Sequence, residues 1–245
     1  MSTVTYGRYE LLRTFRNRRF FIFALGFPLV LYFLIAGPNR NEHDFGGTGI
    51  SAPLYFMVGL AAFGTMVAVL SSGARIAADR SAGWNRQLRI TPLSTRAYFG
   101  TKVITSYVTA AVTIVLLYAA GTSLGVRLSL AHWVEMTGLI LIALLPFAAL
   151  GVLLGHLLTA DSIGPAMGGT TALFAFLGGV WFPIGNSGAF HDIAQALPSF
   201  WLVQASHISV WGNGWGYTGW LVIVLWTAAL TLLAALAYQR DTKRV

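Results

Sequence analysis

Long apolar runs alternate with short polar breaks along this chain, and the breaks set its organisation. The runs occupy residues 20–36, 52–73, 100–122, 133–158, 164–184 and 219–238. Each comes close to the roughly 20 residues a helix needs to cross a hydrocarbon core. The pattern predicts an all-α integral membrane protein with six transmembrane helices in a single domain spanning residues 1–245. The start of the chain reads differently. Val4, Leu11, Leu12 and Phe15 gather near one helical face, with Arg8, Arg13 and Arg16 elsewhere. Residues 1–19 therefore predict an amphipathic interfacial helix, held on its side by Arg16-Asn17-Arg18-Arg19. A signal peptide is the competing reading of a basic start before an apolar run. The run 20–36 exceeds the usual apolar region of up to about 15 residues, and no Ala-x-Ala site follows it.

The longest polar break, residues 75–99, separates the second and third runs. From Arg75 to Lys102 it holds Arg75, Arg80, Arg86, Arg89, Arg96 and Lys102 against one acid, Asp79. Residues 76–90 can form a short helix on which Trp84 and Leu88, four apart, share a face among arginines. Gly83 would weaken its middle by about 1 kcal/mol relative to Ala. Pro92 disfavours helical geometry at Thr91, so the chain must turn there. Ser94 or Thr95 can cap the next helix, and Thr91 with Pro92 at the first helical position is another start. An apolar pair set among cations suits a knob docking in a groove of another protein, with about 2 to 3 kcal/mol from burying each side chain. An ordinary basic loop with its tryptophan in lipid headgroups is the alternative.

Composition narrows the class. Of 245 residues, 56% are hydrophobic and only 10% charged, against about 25% charged in soluble domains. No cysteine occurs, which excludes disulfides and cysteine-ligated metals. The net charge of +8 is sorted by membrane side and gives no argument for nucleic acid. Fourteen of the sixteen Lys and Arg fall on one side with Glu10, Asp79, Asp161 and Asp241, whereas Arg40 and Arg127 face the other with Glu42, Asp44, Glu135 and Asp192. That asymmetry predicts both termini and the basic break on the cytoplasmic side.

Within the second span, Gly59, Ala61, Ala62 and Gly64 permit close helix approach. Phe56, Phe63 and Met66 lie on a related face; a thioether beside aromatics suits a variable apolar guest, and plain packing or lipid contact is the alternative. Phe174 and Trp181 are further candidates for such a pathway. Pro146 should bend the fourth span, and Thr159-Ala160-Asp161-Ser162 makes a short inner turn. In the fifth, Gly168, Ala172, Ala175 and Gly179 form a small-residue series that predicts a helix pressed against a partner, its own copy included. Residues 186–216 are too polar for a span. Phe190, Ile193, Ala194 and Leu197 share a face there, which predicts a short outer helix. Trp201, Trp211, Trp215 and Trp220 would mark the outer interface.

The spacing Asp79, Gly83, Leu88, Thr91-Pro92-Leu93-Ser94, Lys102 resembles the cytoplasmic loop of type-2 ABC transporter permeases. Pro28 in the first run, Gly178-Gly179 followed by Phe182-Pro183, and Leu197-Pro198 are similar to further patterns of that family. Asp79 stands where Glu is usual, Trp84 replaces Thr, and Arg86 sits where an acid is common. The resemblance implies that Asp79, Arg80, Gly83, Trp84, Arg86, Leu88, Arg89 and Pro92 form a coupling helix gripped by a separate cytoplasmic ATPase. It further implies a re-entrant outer segment between spans five and six, and a complex of two permeases, identical or related, with two ATPase subunits in a bacterial cell membrane. Export of a hydrophobic or amphipathic substrate, such as an antibiotic, drug or lipid, follows from the same resemblance.

Other chemistry is thin. No Gly-x-x-x-x-Gly-Lys-Ser/Thr loop occurs, so ATP and Mg are expected on the partner and no cofactor on this chain. Gly185-Asn186-Ser187-Gly188 spells a GxSG sequence, but the expected sixth span offers no histidine to activate Ser187. The five histidines show no paired metal-ligand spacing. Acids sit only at span ends, so the spans are expected to carry no buried charge, which disfavours an ion-coupled carrier. A non-transporting membrane anchor or assembly subunit is the reading of another class.

Overall fold

The computed structural model describes residues 3–17, 22–83, 94–207 and 214–243. Among them the chain forms helices and turns, with no strand. Helix α1 is Thr3–Phe15. A π turn, Ile22–Gly26, leads into α2, Phe27–Ala36. Pro28 explains the wide turn, because it has no N–H to offer the carbonyl of Ala24. Then come α3 (Ala52–Ser81), α4 (Thr95–Ser123), α5 (Leu130–Ala143), α6 (Leu145–Leu157) and α7 (Ile163–Leu177). Two short helices, α8 (Ala189–Gln195) and α9 (Pro198–Gln204), precede the last helix, α10 (Tyr217–Lys243).

Among the described residues four helical stretches are long and apolar enough to cross a membrane: Ala52–Ser81, Ala97–Ser123, Leu130–Leu157 and Tyr217–Arg240. Ala24–Ala36 and Ile163–Leu177, where the first and fifth spans were expected, are apolar but shorter. Helix α7 stops at Leu177 rather than near residue 184 because Gly179 takes a positive φ of 78° and turns the chain out of the helix.

Helix α3 is the axis of the molecule. Helices α2, α4, α6, α7 and α9 all pack on it, and most of its side chains are buried. Glycines set the closest approaches. A Cβ at Gly73 would strike the Gly151 carbonyl, and one at Gly155 would lie 2.8 Å from the Gly73 carbonyl, so α3 and α6 cross backbone to backbone. Gly64 does the same for the π turn and α4, meeting the Ala24 carbonyl and Thr113. Such contacts replace the hydrophobic drive that lipid removes.

Local chemistry accounts for the boundaries. Ser94 caps α4 by accepting from the Ala97 N–H at 3.2 Å, which makes Thr95 the first helical residue. The expected fourth span is two helices, divided at Leu144, because Pro146 cannot bond back to Ile142. The turn before α7 is tied by Thr159 Oγ1 and Ser162 Oγ, 2.9 Å apart. In the outer segment the expected helix appears as α8, though of its apolar side chains only Ala194 is buried. Trp201 and Trp215, two of the expected interface tryptophans, pack inside the chain. Both side chains are buried, the Trp201 ring and the Trp215 Cβ lying against Gly219 of α10, and Trp201 Nε1 donates to the Gln195 carbonyl at 2.8 Å. Trp220 is exposed, while Trp211 lies outside the described residues.

Candidate functional site

Three pairs of side chains spaced four apart, one on each of three helices, converge at one end of the bundle. Tyr6 and Glu10 share a face of α1, Arg75 and Asp79 a face of α3, and Tyr98 and Lys102 a face of α4. Lys102 is at the centre and wholly buried. Its Nζ lies 2.7 Å from Glu10 Oε1 and 2.7 Å from Asp79 Oδ2. Arg75 Nε lies 3.3 Å from the same Glu10 oxygen, and Arg13 Nη1 lies 3.1 Å from Asp79 Oδ1. Tyr98 donates its hydroxyl to Asp79 Oδ2 at 2.9 Å. Arg75 also donates to Ser71 Oγ at 2.9 Å and to Ser106 Oγ at 3.0 Å. The rings of Tyr6 and Tyr98 close the side of the cluster, 6.0 Å apart, with Lys102 Nζ 5.3 Å from the Tyr98 centroid.

Burying such charges is tolerable only when every partner is in place, since a lone buried ion costs several kcal/mol. The cluster thus locks α1, α3 and α4 into one geometry and holds three cations against two carboxylates. Burial, then Glu10 and Asp79, raise the Tyr6 hydroxyl well above its usual range. Burial alone would lower Arg13, but its bond to Asp79 and the charges of Asp79 and Glu10 outweigh it and hold the guanidinium above its ordinary value.

This arrangement corrects the expectation that the spans carry no buried charge. Glu10, Asp79 and Lys102 are each 5% exposed or less. The basic break also starts later than the sequence pattern suggests. Helix α3 runs on past Gly73 to Ser81, and α4 starts before Tyr98, so Arg75, Asp79 and Lys102 belong to the helical bundle. Gly83 is not inside a helix; its φ of 68° ends α3 in the left-handed conformation that glycine accepts without strain. Arg80 reaches across to the end of α6. Its Nη1 donates to the carbonyls of Gly155, at 2.9 Å, and Leu158, at 3.3 Å, groups that a helix terminus leaves unpaired. Trp84, Arg86, Leu88, Arg89 and Pro92 lie outside the described residues.

The five candidate pathway residues all lie in or against one hydrophobic core. Phe56 and Met66 are buried within the core. Phe63 and Trp181 are half-buried and adjacent, ring centroids 5.7 Å apart, and Phe27 extends that row at 6.1 Å from Phe63. Phe174 packs edge-on to Phe147 at 5.1 Å. The small residues of α7 divide. Gly168 and Ala172 lie on a face open within this chain, Ala175 points into the core, and Gly179 occupies the turn beyond the helix.

Glu10 was missed as a site residue because its partner Lys102 is 92 positions away, and only tertiary packing reveals the match. The Gly151-x-x-x-Gly155 crossing was missed as well, although that spacing is itself a packing signal. Ser187 is exposed, whereas His191 Nε2 pairs with Gln195 at 2.6 Å and His207 is buried, so no nucleophile and base are assembled there. Among the described residues no group of three His, Asp or Glu could hold a metal ion.

Comparison with known proteins supplies the wider setting. Residues 2–211 match the model of a family described as ABC-2 type transporter. The chain is also similar to a Bacillus subtilis (strain 168) protein named "Putative transport permease YvfS". The two are 26% identical over 230 residues, 92% of either chain.

Proposed function

The chain belongs to the ABC-2 type transporter family and is the membrane subunit of an ABC transporter, and on that premise we propose that it moves a hydrophobic or amphipathic substrate out of the cell. Membership implies an ATPase partner. In this reading two copies of that ATPase carry the ATP and Mg, and the permease pairs with a second copy or a related chain in a bacterial cell membrane. Both termini face the cytoplasm, α2 and α7 complete six spans, and α8 and α9 form the outer re-entrant segment.

The buried cluster around Lys102 carries the proposal. The basic break leaves the bundle from the end of α3 and returns at the start of α4, and the cluster bolts those two ends to each other and to α1. A push on the segment 84–93 therefore moves α3, the central helix, rather than bending a free loop. Swinging a two-state gate from mostly closed to mostly open takes about 5.5 kcal/mol of differential binding. Docked Trp84 and Leu88 supply contacts on that scale, with the arginines beside them. The half-buried row of Phe27, Phe63 and Trp181 offers an aromatic wall to the substrate, and the open face of α7 at Gly168 and Ala172 offers a close-packing surface to the second permease.

Replacing Trp84 with Glu together with Leu88 with Ser tests this. ATP-driven efflux from membrane vesicles containing the whole complex should be lost, with insertion of the permease unchanged. Full efflux by the double variant would refute the coupling role. No wild-type ATP-driven movement of any amphipathic substrate would favour a non-transporting anchor instead.

A further inference from the structure

We propose that the recess between α3, α6 and α10 binds an anionic phospholipid, with Arg80 and Arg240 on its phosphate and the leucines below along an acyl chain. The recess has a volume of about 390 Å³. Its wall is Leu153, Leu157, Leu233 and Leu236, and among the described residues no carboxylate lines it. Leu157, Leu233 and Leu236 remain 62%, 49% and 43% exposed, so the chain itself does not cover that wall. Below it Leu153, Leu230, Ala234 and Ala237 pack into a small cluster of their own and close the floor.

Two features single out a phospholipid. A free anion would need the guanidiniums but gain nothing from a leucine wall, and a neutral apolar guest would gain nothing from the guanidiniums. Charge above and hydrocarbon below is the profile of one phospholipid standing in the bilayer, and arginine matches phosphate geometry with paired donors. Arg80 is also held in place. Its bonds to the Gly155 and Leu158 carbonyls fix its position at the edge of the recess. Arg240 is exposed on the last turns of α10. A bound lipid would tie α10, otherwise joined to the bundle mainly through α6, to the end of α3.

The proposal rests on the chain lying in a bilayer and not on export, so its test uses no transport assay. The purified full-length chain, stripped of lipid, is titrated with phosphatidylglycerol, phosphatidylcholine or inorganic phosphate and followed by native mass spectrometry. Phosphatidylglycerol should be retained over phosphatidylcholine, and inorganic phosphate should not displace it. Arg240→Gln should weaken retention about fivefold, the effect of one interfacial cation, and Arg240→Lys should keep most of it. Leu236→Gln should weaken both lipids together. Equal retention of the two lipids, displacement by inorganic phosphate, or an Arg240→Gln chain that binds like wild type would each overturn the assignment.

Discussion

Replacing Lys102 with Met is the sharpest single perturbation of the molecule. The ammonium is fully buried and bridges two carboxylates at 2.7 Å each. Met fills nearly the same volume, so packing is kept and charge alone is removed. Two buried carboxylates then lose their shared partner, and breaking a buried pair in this way costs about 3 to 5 kcal/mol. Arg75 still faces Glu10 at 3.3 Å and Arg13 faces Asp79 at 3.1 Å, which puts the expectation near the lower end, about 3 kcal/mol. Arg13→Ala is the internal control. That side chain is 58% exposed, so its loss should cost under about 1 kcal/mol. Because removing both members of a buried ion pair is often tolerated, Asp79→Asn in the Lys102→Met background, which keeps the Glu10–Arg75 pair, should recover much of the loss, a strong departure from additivity. Denaturant unfolding in detergent, read by tryptophan fluorescence, measures all four. Lys102→Met within about 1 kcal/mol of wild type, or no recovery in the double variant, would refute the account of the cluster.

Two further substitutions probe the backbone arguments. Gly155→Val drives a side chain into the crossing of α3 and α6, where even a Cβ would lie 2.8 Å from a carbonyl oxygen; it should cost about 1 to 3 kcal/mol or more, visible as a lower unfolding midpoint and poor yield. Gly83→Ala meets no neighbour within 4 Å and should cost only the strain of a positive φ, about 1 kcal/mol, with full assembly retained.

How far the sequence alone reaches differs from element to element. Apolar runs and caps locate most helices, because membrane burial and the Ser94, Pro146 and Pro198 signals act locally. Gly83 was ambiguous for a physical reason: glycine both weakens a helix and ends one, and only the backbone angle decides. The charge cluster was beyond reach. Glu10, Asp79 and Lys102 each look like ordinary interfacial charges in their own segments, and their meaning appears when α1 lies across α3 and α4. For the tryptophans the pattern was incomplete, since Trp201 and Trp215 also pack inside the chain against Gly219, a contact that no local signal shows. The outer helix α9 was hidden for a similar reason. Its consecutive buried Phe200, Trp201 and Leu202 show no amphipathic period, whereas Pro198 at its first turn was the available cue.

The account stands most directly on contact between residue 84 and the ATPase. A photo-crosslinking amino acid placed at position 84 of the permease, in membranes holding the intact complex, should yield one adduct of permease with ATPase, and yield should change when ATP is added. An adduct formed only with lipid or with the outer face, at every nucleotide state, would contradict the central claim.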